Sequence, residues 1–75
     1  SPQTTWVSAS GTTRVWLAGA EGLYPMGEIP PGTYTIKAFF QPTVPQDAGR
    51  LRAEAGGRWE VHCSRVLLTC AAERQ

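Results

Sequence analysis

Between Ile29 and Ala38 the chain reads Ile-Pro-Pro-Gly-Thr-Tyr-Thr-Ile-Lys-Ala, and no other stretch restricts its fold as much. Two prolines fix φ and withdraw two amide donors, and Gly32 supplies backbone conformations that other residues avoid. A strict alternation follows at once, from Thr33 to Phe40. It puts Tyr34, Ile36, Ala38 and Phe40 on one face and Thr33, Thr35, Lys37 and Phe39 on the other. The run is a tight lead-in to a half-buried strand, with Pro30, Pro31 and Gly32 as fold-specifying turn residues and Tyr34 and Ile36 as core.

Strand signals recur along the rest of the chain, and no segment has the length or period of a helix. Thr5–Ala9 is β-branched and aromatic, Ser10–Thr13 breaks it, and Arg14–Ala18 resumes it, so the two are expected as a hairpin or as neighbouring strands. Gly19–Gly27, with three glycines and Pro25, is expected as a connecting loop with Leu23 and Tyr24 folded back on the core. Gln41–Gly49, with Pro42, Pro45 and Asp47, is expected as a second loop. Arg50–Ala55 and Arg58–Cys63 both alternate, and Gly56-Gly57 between them predicts a hairpin. Val66-Leu67-Leu68 fits either a last edge strand or a loop pinned on the core. The expected fold is all-β: a small, mostly antiparallel β-sandwich of about five to seven short strands. Residues 1–75 form one domain, with 1–4 and 72–75 as flexible ends.

A chain of 75 residues buries roughly 60–65 % of the surface its unfolded form exposes. Its stability is then on the order of 4–11 kcal/mol, and a single staple matters. Cys63 and Cys70 admit a disulfide, part of a metal site, or two unrelated thiols. A metal site needs more ligands than this chain groups together, and His62, next to Cys63 on a strand, points to the opposite face. The disulfide is the expected state, contributing roughly 2–3 kcal/mol in the chain-entropy treatment. It implies an oxidising compartment: periplasm, cell surface or outside. Met26 is the only methionine, so the chain is expected to be a processed or excised piece of a longer protein, and Ser1-Pro2 is open between a cloning scar and native sequence.

Seven basic and six acidic residues give a net charge of +1, scattered without a run of like sign. That argues against nucleic acid or an anionic membrane surface as partner, since both want clustered Lys and Arg. No apolar stretch reaches the ~20 residues of a membrane span. Serine, histidine and carboxylates occur without spacing that suggests a nucleophile, a base and an orienting group, and the glycines form no phosphate loop. No catalytic residue, metal ligand or cofactor is expected.

The order Val15-Trp16-Leu17-Ala18-Gly19, then a Gly-rich loop with a proline, then Ile29-Pro30-Pro31-Gly32-Thr33-Tyr34-Thr35-Ile36, then Ala55-Gly56-Gly57 resembles the bacterial PEGA domain. The likeness spans most of residues 5–63 and is sharp only over Pro-Pro-Gly-Thr-Tyr-Thr-Ile. Transthyretin-like and carboxypeptidase-regulatory-like modules share the Pro-Gly-x-Tyr lead-in. The Pro-Glu-Gly-Ala signature is replaced here by Ser10-Gly11-Thr12-Thr13, the loop threonine by Leu23-Tyr24-Pro25, and the Cys63–Cys70 tail lies outside the pattern. The resemblance implies a non-catalytic module of bacterial surface or sensor proteins and carries over no site residues.

Alternation sends Trp6 and Trp16 away from Val7, Val15 and Leu17, with Phe39 able to join them. Together they would form an outer apolar patch suited to a partner or a sugar. Against this, a two-sheet sandwich could bury them, or Val66-Leu67-Leu68 could cover them. Trp59, in phase with Val61 and Cys63, is expected in the core. The leading expectation is a non-enzymatic, extracytoplasmic interaction or display module that binds another protein or a cell-envelope or glycan component through Trp6, Trp16 and Phe39. A structural spacer and a carbohydrate-binding module are the alternatives.

Overall fold

A computed structural model of the chain describes residues 4–75, which form an all-β sandwich with one disulfide. The strands are β1 (Thr5–Ala9), β2 (Arg14–Gly19), β3 (Gly22–Pro25), β4 (Gly27–Ile29), β5 (Gly32–Phe39), β6 (Gln46–Ala53), β7 (Arg58–Ser64) and β8 (Thr69–Arg74). One four-stranded sheet has the order β4-β1-β7-β8 and the other the order β3-β2-β5-β6. All neighbours are antiparallel except β1 and β7.

Strand β5 is the run that dominates the sequence, and it sits at the centre of its sheet between β2 and β6. Tyr34, Ile36 and Ala38 are buried as the alternation requires, with Phe40 packed at the core's margin. Val7, Val15, Leu17, Ile29, Leu51, Ala53 and Val61 complete the interior from both sheets. Trp59 reaches this core only in part, and the Arg74 guanidinium lies over its ring, 5.9 Å from the centre.

Segment 19–27 is not a loop. It holds the last residue of β2, the whole of β3 and the first residue of β4, and β3 and β4 raise the strand count to eight. Strand β3 pairs with β2 and β4 with β1, so the chain changes sheets across the single residue Met26. Gly27, with φ +132°, takes the bend there that a residue with a side chain would resist. Pro25 is tolerated because β3 is an edge strand and its missing amide breaks no interior ladder. Tyr24 packs on the core, while Leu23 stays exposed.

Two expected strand pairings are also replaced. The Ser10–Thr13 turn carries the chain from one sheet to the other, so β1 and β2 are not neighbours. Likewise Gly56-Gly57 does not close a hairpin between β6 and β7. The Gly57 amide donates within the turn to the Glu54 carbonyl at 3.1 Å, and the start of the chain takes further groups: the Gly56 amide donates to the Thr4 carbonyl at 2.8 Å, and the Gly57 carbonyl accepts from the Trp6 amide at 3.0 Å and from Thr5 Oγ1 at 2.9 Å. The strand after the turn therefore runs on beside β1, parallel to it. The hairpin of this region is β7–β8, where Cys63 stands opposite Cys70 and the two are disulfide-bonded with Cα atoms 4.0 Å apart.

The sandwich has two distinct ends. One carries the Ser10–Thr13 turn, the 40–45 loop and the 65–68 turn, tied together by the Ser10 amide donating to the Val61 carbonyl and by Arg65 Nη1 donating to the Phe40 carbonyl at 3.0 Å. The other carries Gly56-Gly57, Thr4 and Gln75, whose amide donates to the Arg58 carbonyl at 2.8 Å. Both ends of the described chain thus lie at one pole. Residues 72–74, expected as a flexible end, belong to β8, and residues 1–3 of the other expected end lie outside the described residues.

Candidate functional site

Strand pairing decides which outward side chains meet. Trp6 on β1 stands between Glu28 and Arg58 on the outside of the β4-β1-β7-β8 sheet and is 44 % exposed. Trp16 on β2 and Phe39 on β5 lie on the outside of the other sheet. The three aromatics therefore do not form one patch, because β1 and β2 belong to opposite layers. Trp16 and Phe39 do share a site. Together with Arg14, Leu23, Lys37 and Pro45 they line a groove of about 320 Å³. Val66-Leu67-Leu68 covers none of the aromatics. It forms the tip of the β7–β8 hairpin, with Val66 91 % and Leu67 72 % exposed.

The face around this groove is built in rows of directly opposed residues. Arg14 faces Phe39 with its guanidinium 4.5 Å from the ring centre, a cation–π contact that holds both side chains against the sheet. Trp16 lies between Pro25 and Lys37, and Lys37 is ion-paired with Asp47 across β5 and β6. Thr35 stands between Ala18 and Arg50, and Thr33 opposite Arg52. Four cations, Arg14, Lys37, Arg50 and Arg52, thus share a face whose strands carry one outward carboxylate, Asp47.

Nothing in the linear charge pattern reveals this, since these residues never adjoin in sequence. Parity shows it: like Trp16 and Phe39, each is out of phase with its strand's buried residues. The outside of the other sheet has the opposite balance, with Glu28, Glu60 and Glu73 against Arg58 and His62.

That second face also carries a polar cluster that alternation along the sequence does not bring together. His62 Nδ1 lies 2.7 Å from Ser10 Oγ, and its Nε2 lies 3.1 Å from Glu60 Oε1. With the proton on Nε2, facing the carboxylate, Nδ1 of a neutral imidazole would accept from the serine hydroxyl. The order carboxylate, imidazole, hydroxyl is that of an activated nucleophile. The groove described above is on the opposite layer, and the Ser10 amide, which could steady an oxyanion, is already bonded to Val61. Parallel pairing of β1 with β7 brought Ser10 to His62, and that pairing was hidden by the Gly56-Gly57 turn. The cluster clips the turn after β1 onto β7.

The Pro30 carbonyl accepts from the Tyr34 hydroxyl, and β5 starts at Gly32. Burial, and secondarily Tyr24 at 5.8 Å edge-on, push the Tyr34 phenol above its usual pKa. Among the described residues, no three His, Cys, Asp or Glu side chains group as a metal site, and no helix is long and apolar enough to cross a membrane. The chain matches no protein-family model, no curated protein and no solved structure.

Proposed function

We propose that this chain is a non-enzymatic interaction module of an extracytoplasmic protein, presenting the outer face of the β3-β2-β5-β6 sheet to a partner. The observation that carries the reading is the Trp16–Phe39 groove, on the side of the sheet turned away from the core. Half-buried Trp16 and Phe39 meet exposed Leu23 in this groove, an apolar cluster on an outer face of the kind that marks a contact surface. The disulfide supports an oxidising setting. The likeness to PEGA-type domains of bacterial surface and sensor proteins supports a binding or display role. Trp6 serves at most a separate contact on the opposite layer.

The spacer alternative is less well supported. Both ends of the described chain lie at one pole, so the module would add little length to a stalk. The carbohydrate-binding alternative uses the same groove, with Trp16 as the stacking platform.

Tryptophan fluorescence with the variants Trp16→Ala and Phe39→Ala tests the proposal. Expected are quenching of wild type by a bound envelope protein or glycan, loss of that response in both variants, and melting temperatures within about 4 °C of wild type, under ~1 kcal/mol. A fall of about 10 °C or more in both would make the residues structural and end the proposal. Hydrolysis of p-nitrophenyl acetate is expected to be the same for wild type and His62→Ala. A rate that collapses in the variant would make the module an enzyme.

A further inference from the structure

The net charge of +1 conceals a separation of charge between two faces. The strands of the β3-β2-β5-β6 sheet present Arg14, Lys37, Arg50 and Arg52 outward against Asp47, which is already paired with Lys37, and Glu21 stands at the β2–β3 turn near Thr33, at the far end from Arg14. Nearby Glu54 lies past the end of β6 and turns to Arg74, 3.7 Å away. From the Phe39 row to the Thr33 row the face runs about 20 Å, at ~3.3 Å per residue, and its four strands make it about 15 Å wide. A polyanion approaching the molecule is drawn to this side and repelled by Glu28, Glu60 and Glu73 on the other.

Three further features narrow the partner. Trp16 offers an aromatic surface beside a groove, which suits the apolar side of a flat ring. Thr35 and Ala18 keep the middle of the face low, and Thr35 and Thr33 put hydroxyls at its middle and at its end. Arg50 and Arg52 are exposed guanidiniums two residues apart on one strand, and a guanidinium takes a carboxylate with two parallel hydrogen bonds. In the oxidising surroundings that a disulfide favours, the abundant polyanions with rings and hydroxyls are acidic glycans.

Resting on the reading of this face as the contact surface, we propose that it binds an acidic polysaccharide of the uronate type. Arg50 and Arg52 take its carboxylates, Trp16 stacks on a sugar ring, and Thr33 and Thr35 meet its hydroxyls.

Titration calorimetry with oligogalacturonate, a neutral cello-oligosaccharide, an oligoglutamate peptide and oligo-dT tests it. Oligogalacturonate is expected to bind best, more weakly as salt rises. The double variant Arg50→Ser/Arg52→Ser should lose about tenfold or more in affinity, ~1.4 kcal/mol, with a shallower salt dependence. Trp16→Ala should lose affinity at an unchanged salt dependence, and Arg58→Ala, on the acidic face, should bind as wild type. Tighter binding of oligoglutamate or oligo-dT overturns the assignment to a glycan, and so does full affinity in the double arginine variant. If the neutral sugar or an envelope protein still perturbs Trp16 while every anion fails, the acidic-glycan proposal falls and the contact face stands. If Trp16→Ala and Phe39→Ala unfold the protein, both fall.

Discussion

Tyr34 shows how one side chain couples the lead-in turn to the core. Its ring is buried, its hydroxyl holds the Pro30 carbonyl, and its pKa is raised by burial and then by Tyr24. Below pH 10.0, the ordinary value for the group, both folded and unfolded chains keep the proton. Above it the unfolded chain ionises first, so this contribution is complete below that pH and is lost as the pH rises through the raised folded value. Urea unfolding of wild type and Tyr34→Phe should show wild type about 1 kcal/mol more stable near pH 8, with the gap closing in alkali. A gap that widens with pH would contradict this. Gly49 is a second such position. A Cβ there would lie 2.5 Å from the Cys70 carbonyl oxygen, backbone against backbone. Gly49→Ala must push β6 from β8 and should cost about 1–3 kcal/mol, read as a melting temperature lower by roughly 4–20 °C. An unchanged melting temperature would show that this seam gives freely.

Among elements, the β7–β8 hairpin is where a covalent bond bears most on a single pairing. Cys63 and Cys70 are already opposed by the ladder, so the disulfide limits mainly the unfolded chain. Reduction should lower stability by about 2–3 kcal/mol while leaving the far-ultraviolet circular dichroism below the transition unaltered, and thermal melts with and without reductant check it. Loss of the β signal on reduction would instead make the bond a condition of folding. The disulfide, like strand β5, was legible in the sequence because residue spacing and alternation are local, whereas β8 was not, its residues 72–74 having the look of a flexible end. What could not be read was which strand lies beside which. Gly-Gly between two alternating runs marks a turn, and the same turn serves a hairpin or a crossing between layers. The choice fell to Thr4, Thr5 and Trp6, more than fifty residues away, which claim the Gly56 amide and the Gly57 carbonyl. That misplacement hid the Ser10–His62 contact, while the Ser10–Thr13 turn, equally able to close a hairpin or to cross between layers, hid the fact that Trp6 and Trp16 face opposite ways. Likewise Pro25 and Gly27 made segment 19–27 resemble a loop, because sequence does not mark β3 as an edge strand.

At the scale of the whole molecule, the sandwich is 39 × 24 × 16 Å and unlike at its ends as well as its faces. One pole carries the exposed Val66-Leu67-Leu68 tip and the other carries Thr4 and Gln75. The basic aromatic face and the acidic face were set by the parity of each strand once its buried residues were known, which is why charge looked scattered along the chain and is sorted in the fold. Thr4 and Gln75 both hydrogen-bond to the short segment Gly56–Arg58, so the way into the fold and the way out of it pass through almost the same door. A domain joined in that manner can be grafted into a surface loop of another protein without parting the two sides of that loop. It would then stand off its host like a leaf on a petiole, with both broad faces open to the surroundings.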